Sequence, residues 1–172
     1  MFQFARLSAV IGILFFAFVS FWPALDKEHS GPAKVIDADT IEIDAERHRF
    51  YGIDAVEHDQ TCRRRNGETW LCGREATAAL VQFLEGRTVT CEVRGRKRDP
   101  YGRFTSICYV GGDNIAAWAS RSGWAVADPD TNRLYNYTSD EGTARFLRRG
   151  IWDGTFDPPA EWRRRQQAGD RP

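Results

Sequence analysis

An uncharged run from Leu7 to Leu25 divides this chain in two and sets the terms for everything after it. Phe15, Phe16, Phe18, Phe21 and Trp22 lie inside the run, and no polar face interrupts it as an ordinary core helix would require. About 20 apolar residues cross a bilayer as a helix, and a shorter apolar core marks a secretory signal. The small-x-small cleavage pattern is poor, because Phe18 stands two places before Ser20 and Trp22 two places before Ala24. Residues 1–30 therefore read as a signal peptide or a retained signal anchor, an apolar helix in either case. Both readings place the rest of the chain outside the cytoplasm: membrane-anchored, periplasmic or secreted.

Cysteine usage agrees with an exported domain. Cys62, Cys72, Cys91 and Cys108 form an even set, which suits two disulfides in an oxidising compartment. Of the three possible pairings, Cys62–Cys72 closes one loop and Cys91–Cys108 links two neighbouring strands, so this pair of bridges is expected. The absence of any Cys-x2-Cys pair argues against zinc. Lys plus Arg equals Asp plus Glu at 24 each. That balance excludes a strongly basic nucleic-acid coat, and any affinity for a polyanion must come from a local arrangement of charge. With 42% hydrophobic residues the chain can build one core, expected over residues 31–156. Residues 157–172 read as a Pro- and Arg-rich tail. Pro158 and Pro159 end the packed region there; Arg163 to Arg165 offer phosphate contacts, but a solvated tail is the expected reading.

The expected fold class is α+β. Thr40 to Ile43 and His48 to Ile53 form a hairpin around a turn at Asp44 to Arg47. Residues 58–72 read as a loop. Arg74 to Glu85 is a helix with Ala76, Ala79, Leu80, Phe83 and Leu84 on one face and Gly86 as its stop. Thr88 to Arg94 and Phe104 to Val110 are strands around the basic loop Gly95–Arg103. Asp113 caps a helix over Asn114–Ser122, stopped by Gly123. Thr138-Ser-Asp-Glu141 has capping-box spacing for a last helix to Arg149, ended by Gly150. Five short strands with about three helices suggest a small closed barrel.

Three charged clusters carry the chemistry. They are Asp37-Ala-Asp39-Thr40, then Arg49 to Glu57, then Asp99-Pro-Tyr-Gly-Arg103. The hairpin makes the first two neighbours, so Asp39 and Asp54 converge at one end of the sheet. Two carboxylates and a backbone carbonyl make a hard oxygen site, better suited to Ca²⁺ than to zinc. Glu57 lies close enough to deprotonate a water. Arg49 and Arg103 supply two guanidinium forks that match phosphate oxygens. A cation, a base and two arginines are the parts of a phosphodiesterase. Singly, each cluster reads as a turn, a surface ion pair or a solvated strand end; their conjunction on one small domain is what carries weight.

In this order, Val35-Ile-Asp-Ala-Asp-Thr40, Arg49 with Gly52-Ile-Asp-Ala-Val-Glu57, and Asp99-Pro-Tyr-Gly-Arg103 resemble the staphylococcal nuclease (thermonuclease) family. The resemblance runs from about Lys34 to Trp152 and includes Gly73-Arg-Glu-Ala76 and Gly150-Ile-Trp152. It implies an OB-fold barrel with three helices and Ca²⁺-dependent cleavage of DNA and RNA to 3′-phosphate ends, by a chain expected to act as a monomer. Carried over by position, Asp39 and Asp54 are side-chain ligands of calcium and Ala55 lends its carbonyl. Arg49 and Arg103 bind the scissile phosphate, and Glu57 is the base.

The chain departs from the family pattern at Ala38, where Gly is usual, and at Val56, where Pro is usual. Asp128 and Asp130 stand where tyrosines pack on the nucleotide in the best-known member. The cysteine loop at 62–72 resembles an exported bacterial subgroup, some members of which carry a succinoglycan-biosynthesis name. Two other readings follow. One is a non-catalytic OB-fold module binding through Arg96, Lys97, Arg98 and Trp124. The other is an accessory role in exopolysaccharide production.

Overall fold

The computed structural model describes residues 27–128, 130–131 and 134–169. The apolar helix expected near the N-terminus lies outside the described residues. Among the described residues no helix is long and apolar enough to cross a membrane.

The strands are β1 (Glu28–Pro32), β2 (Lys34–Asp37), β3 (Thr40–Ile43), β4 (Glu46–Phe50), β5 (Ile53–Ala55), β6 (Cys62–Arg64), β7 (Thr69–Trp70), β8 (Thr88–Arg94), β9 (Phe104–Val110), β10 (Asp113–Asn114), β11 (Ala125–Ala127) and β12 (Gly154–Thr155). The helices are α1 (Cys72–Leu84), α2 (Ile115–Ser122), α3 (Tyr137–Leu147) and α4 (Pro159–Ala168), with a 3-10 turn at Gly150–Asp153. The class is α+β, as expected, but the expected closed five-stranded barrel and three helices are not what forms. The main sheet runs β1-β8-β9-β4-β3-β2, with β10 added to β9, and no ladder joins β2 back to β1 among the described residues. A register irregularity between Val35 and Asp37 bends β2. Helix α1 packs against β2, so a helix covers that edge. The β4–β9 pair is parallel and its neighbours are antiparallel.

Alternation explains the central strands. In β8, Val89, Cys91 and Val93 turn inward while Thr90, Glu92 and Arg94 face the other way. Cys91 lies directly opposite Cys108 on β9, and the two are bonded across the strands. Cys62 and Cys72 form the second disulfide, with their Cα atoms 5.7 Å apart. Both pairings match expectation, and each bridge contributes about 3 kcal/mol by restricting the unfolded chain. The core gathers Ile41, Ile43, Phe50, Leu80, Leu84, Val89, Val110 and Ile115.

Several boundaries move. Strand β1 starts at Glu28, inside the segment assigned to the leader, because its backbone pairs with Glu92 to Thr88. The segment 58–72 holds a small hairpin, β6–β7, rather than only a loop. The cap of α2 is Asn114, whose Oδ1 accepts the Ala117 N–H at 3.0 Å, not Asp113. The capping box at Thr138–Glu141 does not form. Glu141 instead reaches out of α3 to accept the N–H of Ala127 at 2.6 Å, which ties the helix to β11. Arg148, not Gly150, takes the left-handed position that ends α3.

The largest difference is at the C-terminus. Residues 159–168 form a helix, with Pro159 and Trp162 buried. Pro is a favoured first residue of a helix, since its missing N–H would be unpaired there anyway. The Pro158-Pro159 pair starts an element instead of ending the domain.

A buried imidazole pair gives the sheet a pH dependence. His48 on β4 is fully buried; its Nε2 lies 2.8 Å from Nδ1 of His29 on β1, and its Nδ1 lies 2.9 Å from Oγ of Ser106 on β9. Burial, with the neighbouring His29 charge, lowers the His48 pKa to about 4. The unfolded chain thus binds a proton that the folded one refuses between about pH 6.5 and 4. The stability held by the neutral imidazole is present above that window and lost as pH falls through it. Urea unfolding at pH 7 and pH 4 should show a loss of about 2–3 kcal/mol from this group. His48→Gln should flatten that slope, and an unchanged slope would assign the acid sensitivity elsewhere.

Candidate active site

The β3–β4 hairpin brings the first two charged clusters together. Thr40 pairs with Arg49 in register, and the Phe50 N–H donates to the Asp39 carbonyl at 2.8 Å. Asp39 is only 4% exposed. Its Oδ1 accepts the Thr40 hydroxyl at 2.8 Å, and its Oδ2 pairs with Arg49 Nη1 at 2.6 Å. The other arm of Arg49, Nη2, reaches Asp54 Oδ1 at 2.7 Å. One guanidinium therefore spans both carboxylates. Burial raises the Asp39 pKa to about 7, against the pull of Arg49.

Asp54 and Ala55 sit on β5, held by pairing with β11. The Ala55 N–H points at Asp39 Oδ2, 3.4 Å away. Beyond the strand, Glu57 is fixed from behind. Its N–H donates to Oε1 of the fully buried Gln60 at 3.1 Å, and Gln60 Nε2 donates to the Asp157 carbonyl at 2.7 Å. Gly73, in the first turn of α1, lies against the same loop. A Cβ there would meet the Glu57 carbonyl oxygen at 1.7 Å, so only glycine allows this approach. The Cys62–Cys72 bridge closes the loop.

Arg103 comes from the loop just before β9, the strand beside β4. Its Nε pairs with Asp99 Oδ2 at 2.8 Å and its Nη1 donates to Thr40 Oγ1 at 3.2 Å. Despite some burial, hydrogen bonds from the Arg103 backbone and side chain hold the Asp99 carboxyl below its usual range. The Nη2 atom of Arg103 has no protein acceptor among the described residues. A cavity of about 370 Å³ collects Asp37, Asp39, Arg49, Val56, Glu57, Tyr101, Arg103 and Arg163. The charged side chains of the three sequence clusters thus line this cavity or pair with a residue that does: Asp54 through Arg49 and Asp99 through Arg103.

The departures from the family pattern find local accommodation. Ala38 is buried and is not among the residues with positive φ. Val56 donates its N–H to the Trp124 carbonyl at 3.4 Å, a bond that proline could not make. Asp128 is tied up locally, accepting from the Asp130 N–H and the Thr131 hydroxyl, and neither aspartate lines the cavity.

Sequence reasoning passed over buried Gln60 and read as solvated a charged residue that matters here. Arg163, half-buried on the side of α4 that faces β5, donates to both oxygens of Asp54 at 2.9 Å and to Glu57 Oε1 at 2.6 Å. The signal that could have found it is Pro159 as a helix start, followed by Trp162 as an apolar anchor.

Residues 47–154 match the staphylococcal nuclease homologue family. Asp39 and Arg163 fall outside that span, so their place in the site rests on the geometry above. The chain is also 42% identical over 124 residues to a protein from Rhizobium meliloti (strain 1021) named succinoglycan biosynthesis protein ExoI; the match covers 71% of this chain and 63% of that relative. The chain thus spans just under two thirds of its relative's length. A match over more than half of the chain, with the three charged motifs gathered at one cavity, settles the lineage: this chain belongs to the staphylococcal nuclease family.

Proposed function

We propose that this chain is an exported, Ca²⁺-dependent endonuclease that hydrolyses phosphodiester bonds in DNA and RNA. The observation that carries the reading is the single guanidinium of Arg49 spanning Asp39 and Asp54 at the wall of a cavity that also holds Glu57 and Arg103.

The donor set fits a hard divalent cation. Among the described residues no cluster of three or more His, Cys, Asp or Glu side chains forms a ready-made cage. The two carboxylates already converge on one cationic group, however, and burial makes the ionised form of Asp39 costly without such a group. Asp39, Asp54 and the Ala55 carbonyl would hold Ca²⁺, which when bound supplies positive charge against the phosphate oxygens.

The remaining work falls to the protein's own side chains. Glu57 takes a proton from the attacking water, whose oxygen bonds to phosphorus as the bond to the 5′-oxygen breaks; that oxygen leaves with the bonding pair and takes a proton from solvent to become a 5′-hydroxyl. The product strand keeps a 3′-phosphate. Arg49 and the open Nη2 of Arg103 grip the phosphate and stabilise the charge that grows on its oxygens. The acidic pocket beside two phosphate clamps favours catalysis over binding alone. The apolar N-terminal segment would export or anchor the domain, and two disulfides suit an oxidising compartment. The chain would act as a monomer.

Incubating the full-length chain with a 5′-labelled single-stranded oligonucleotide and Ca²⁺ should yield shorter fragments ending in 3′-phosphate. Retention of the intact oligonucleotide without Ca²⁺ and without fragments would favour a binding module instead. The name of the Rhizobium relative favours a second reading, an accessory role in exopolysaccharide production. That reading predicts neither fragments nor nucleic-acid retention.

A further inference from the structure

The acidic side of the site needs positive charge even before a divalent ion arrives. Asp39, Asp54 and Glu57 converge there, and like charges packed together repel unless cations stand between them. Two guanidinium groups do so. Arg49 serves Asp39 and one oxygen of Asp54, from the central strand β4 and three-quarters buried by its side-chain area (23% exposed). Arg163 serves both oxygens of Asp54 and Oε1 of Glu57.

The two arginines differ in what it takes to move them. Arg49 is anchored in a sheet. Arg163 rides on an outer helix, is 38% exposed, and holds its place mainly by these contacts. Both oxygens of Asp54 are occupied while Arg163 stays. Arg163 and Glu57 also form the shared wall between the cavity described above and a second one of about 710 Å³, lined by His58, Asp59, Thr61 and Trp162 among others. Withdrawal of one side chain would free Oδ2 of Asp54 and Oε1 of Glu57, leaving Arg49 on the other Asp54 oxygen, and join the two cavities into one groove.

We propose that Arg163 is an internal counter-cation that keeps the site closed: it pairs with Asp54 and Glu57 in the metal-free protein, and a divalent cation must displace it from Asp54 to bind. This rests on the calcium-dependent reading of the same site. It makes the C-terminal helix part of the site's control, although that helix lies outside the span matched to the family.

Calcium binding tests it without recourse to catalysis. CaCl₂ is titrated calorimetrically into the full-length chain, disulfides formed, as wild type, Arg163→Ala and Arg164→Ala. Arg164 is a neighbour on the same helix, 74% exposed and, among the described residues, paired only with Glu161 at 3.8 Å, so its variant controls for lost charge. Removing the competitor should tighten Ca²⁺ binding about tenfold in Arg163→Ala, with Arg164→Ala close to wild type. In EGTA, Arg163→Ala should melt below Arg164→Ala, and saturating Ca²⁺ should narrow that gap. Binding by Arg163→Ala alone would support the proposal as strongly. If wild type binds Ca²⁺ and Arg163→Ala binds it equally or less tightly, the counter-cation is refuted while the nuclease reading stands. Unchanged Ca²⁺ affinity with slower DNA hydrolysis would make Arg163 a phosphate clamp and also refute it. If none of the three binds Ca²⁺, both readings fall together.

Discussion

Glu57→Gln should lower the Ca²⁺-dependent rate of DNA hydrolysis by about two to four orders of magnitude, the usual contribution of a positioned general base. The change keeps the shape of the side chain and removes only its ability to take a proton. It also leaves the backbone N–H that Gln60 holds. Stability should therefore change little, since Glu57 is a partly exposed partner of Arg163 and such pairs contribute modestly. Single-turnover digestion of a plasmid by wild type and variant reads the rate, and urea unfolding reads the fold. A variant that keeps the wild-type rate would remove Glu57 from the chemistry.

Arg49→Ala should have the second large effect, and on two quantities at once. Hydrolysis should fall by about 100-fold or more, as expected when a donor aimed at developing charge is removed. Stability should fall by about 3 kcal/mol, because Asp39 would be left buried without its cationic partner. Arg49→Lys separates the two. A lysine keeps a charge near Asp39 but cannot span Asp39 and Asp54 with two arms. It should recover much of the stability and little of the rate. Equal loss of both in the two variants would mean that Arg49 serves only the fold.

The parts of the site that were legible in the sequence are those whose spacing or pattern is local. The two-residue turn at Asp44–Ala45, shorter than the expected turn at Asp44 to Arg47, sets Thr40 opposite Arg49, and Asp39, one residue before Thr40, comes within reach of the Arg49 guanidinium. The turn itself uses Asp44 and Ala45 at positive φ. Strands β8 and β9 were readable as strand-forming runs, β8 with clean alternation, and their pairing brings Cys91 opposite Cys108. Three features needed the third dimension. Sheet closure depends on how β2 and β1 meet their neighbours, which no short window encodes. Glu141 had the spacing of a cap, but a stronger partner on β11 took its carboxylate. Arg163 lies 106 residues from Glu57 in sequence. Its own neighbourhood of arginines and glutamines reads as solvated, and only the seating of Trp162 turns one of those arginines inward.

Gln60 and Gly73 illustrate the same point within the site. Neither belongs to a charged motif, yet both hold the backbone of Glu57, one by a hydrogen bond and one by making room. Their roles follow from burial and contact, which a polar residue in an apparent loop does not advertise.

The most direct test is the rate at which the full-length, disulfide-bonded chain nicks and linearises supercoiled plasmid in millimolar Ca²⁺ against EGTA. Cleavage with Ca²⁺, none with EGTA, and its near-complete loss in Glu57→Gln is the expected result. Intact plasmid in both buffers, or cutting that continues undiminished in EGTA, would contradict a calcium-assisted phosphodiesterase in this crevice.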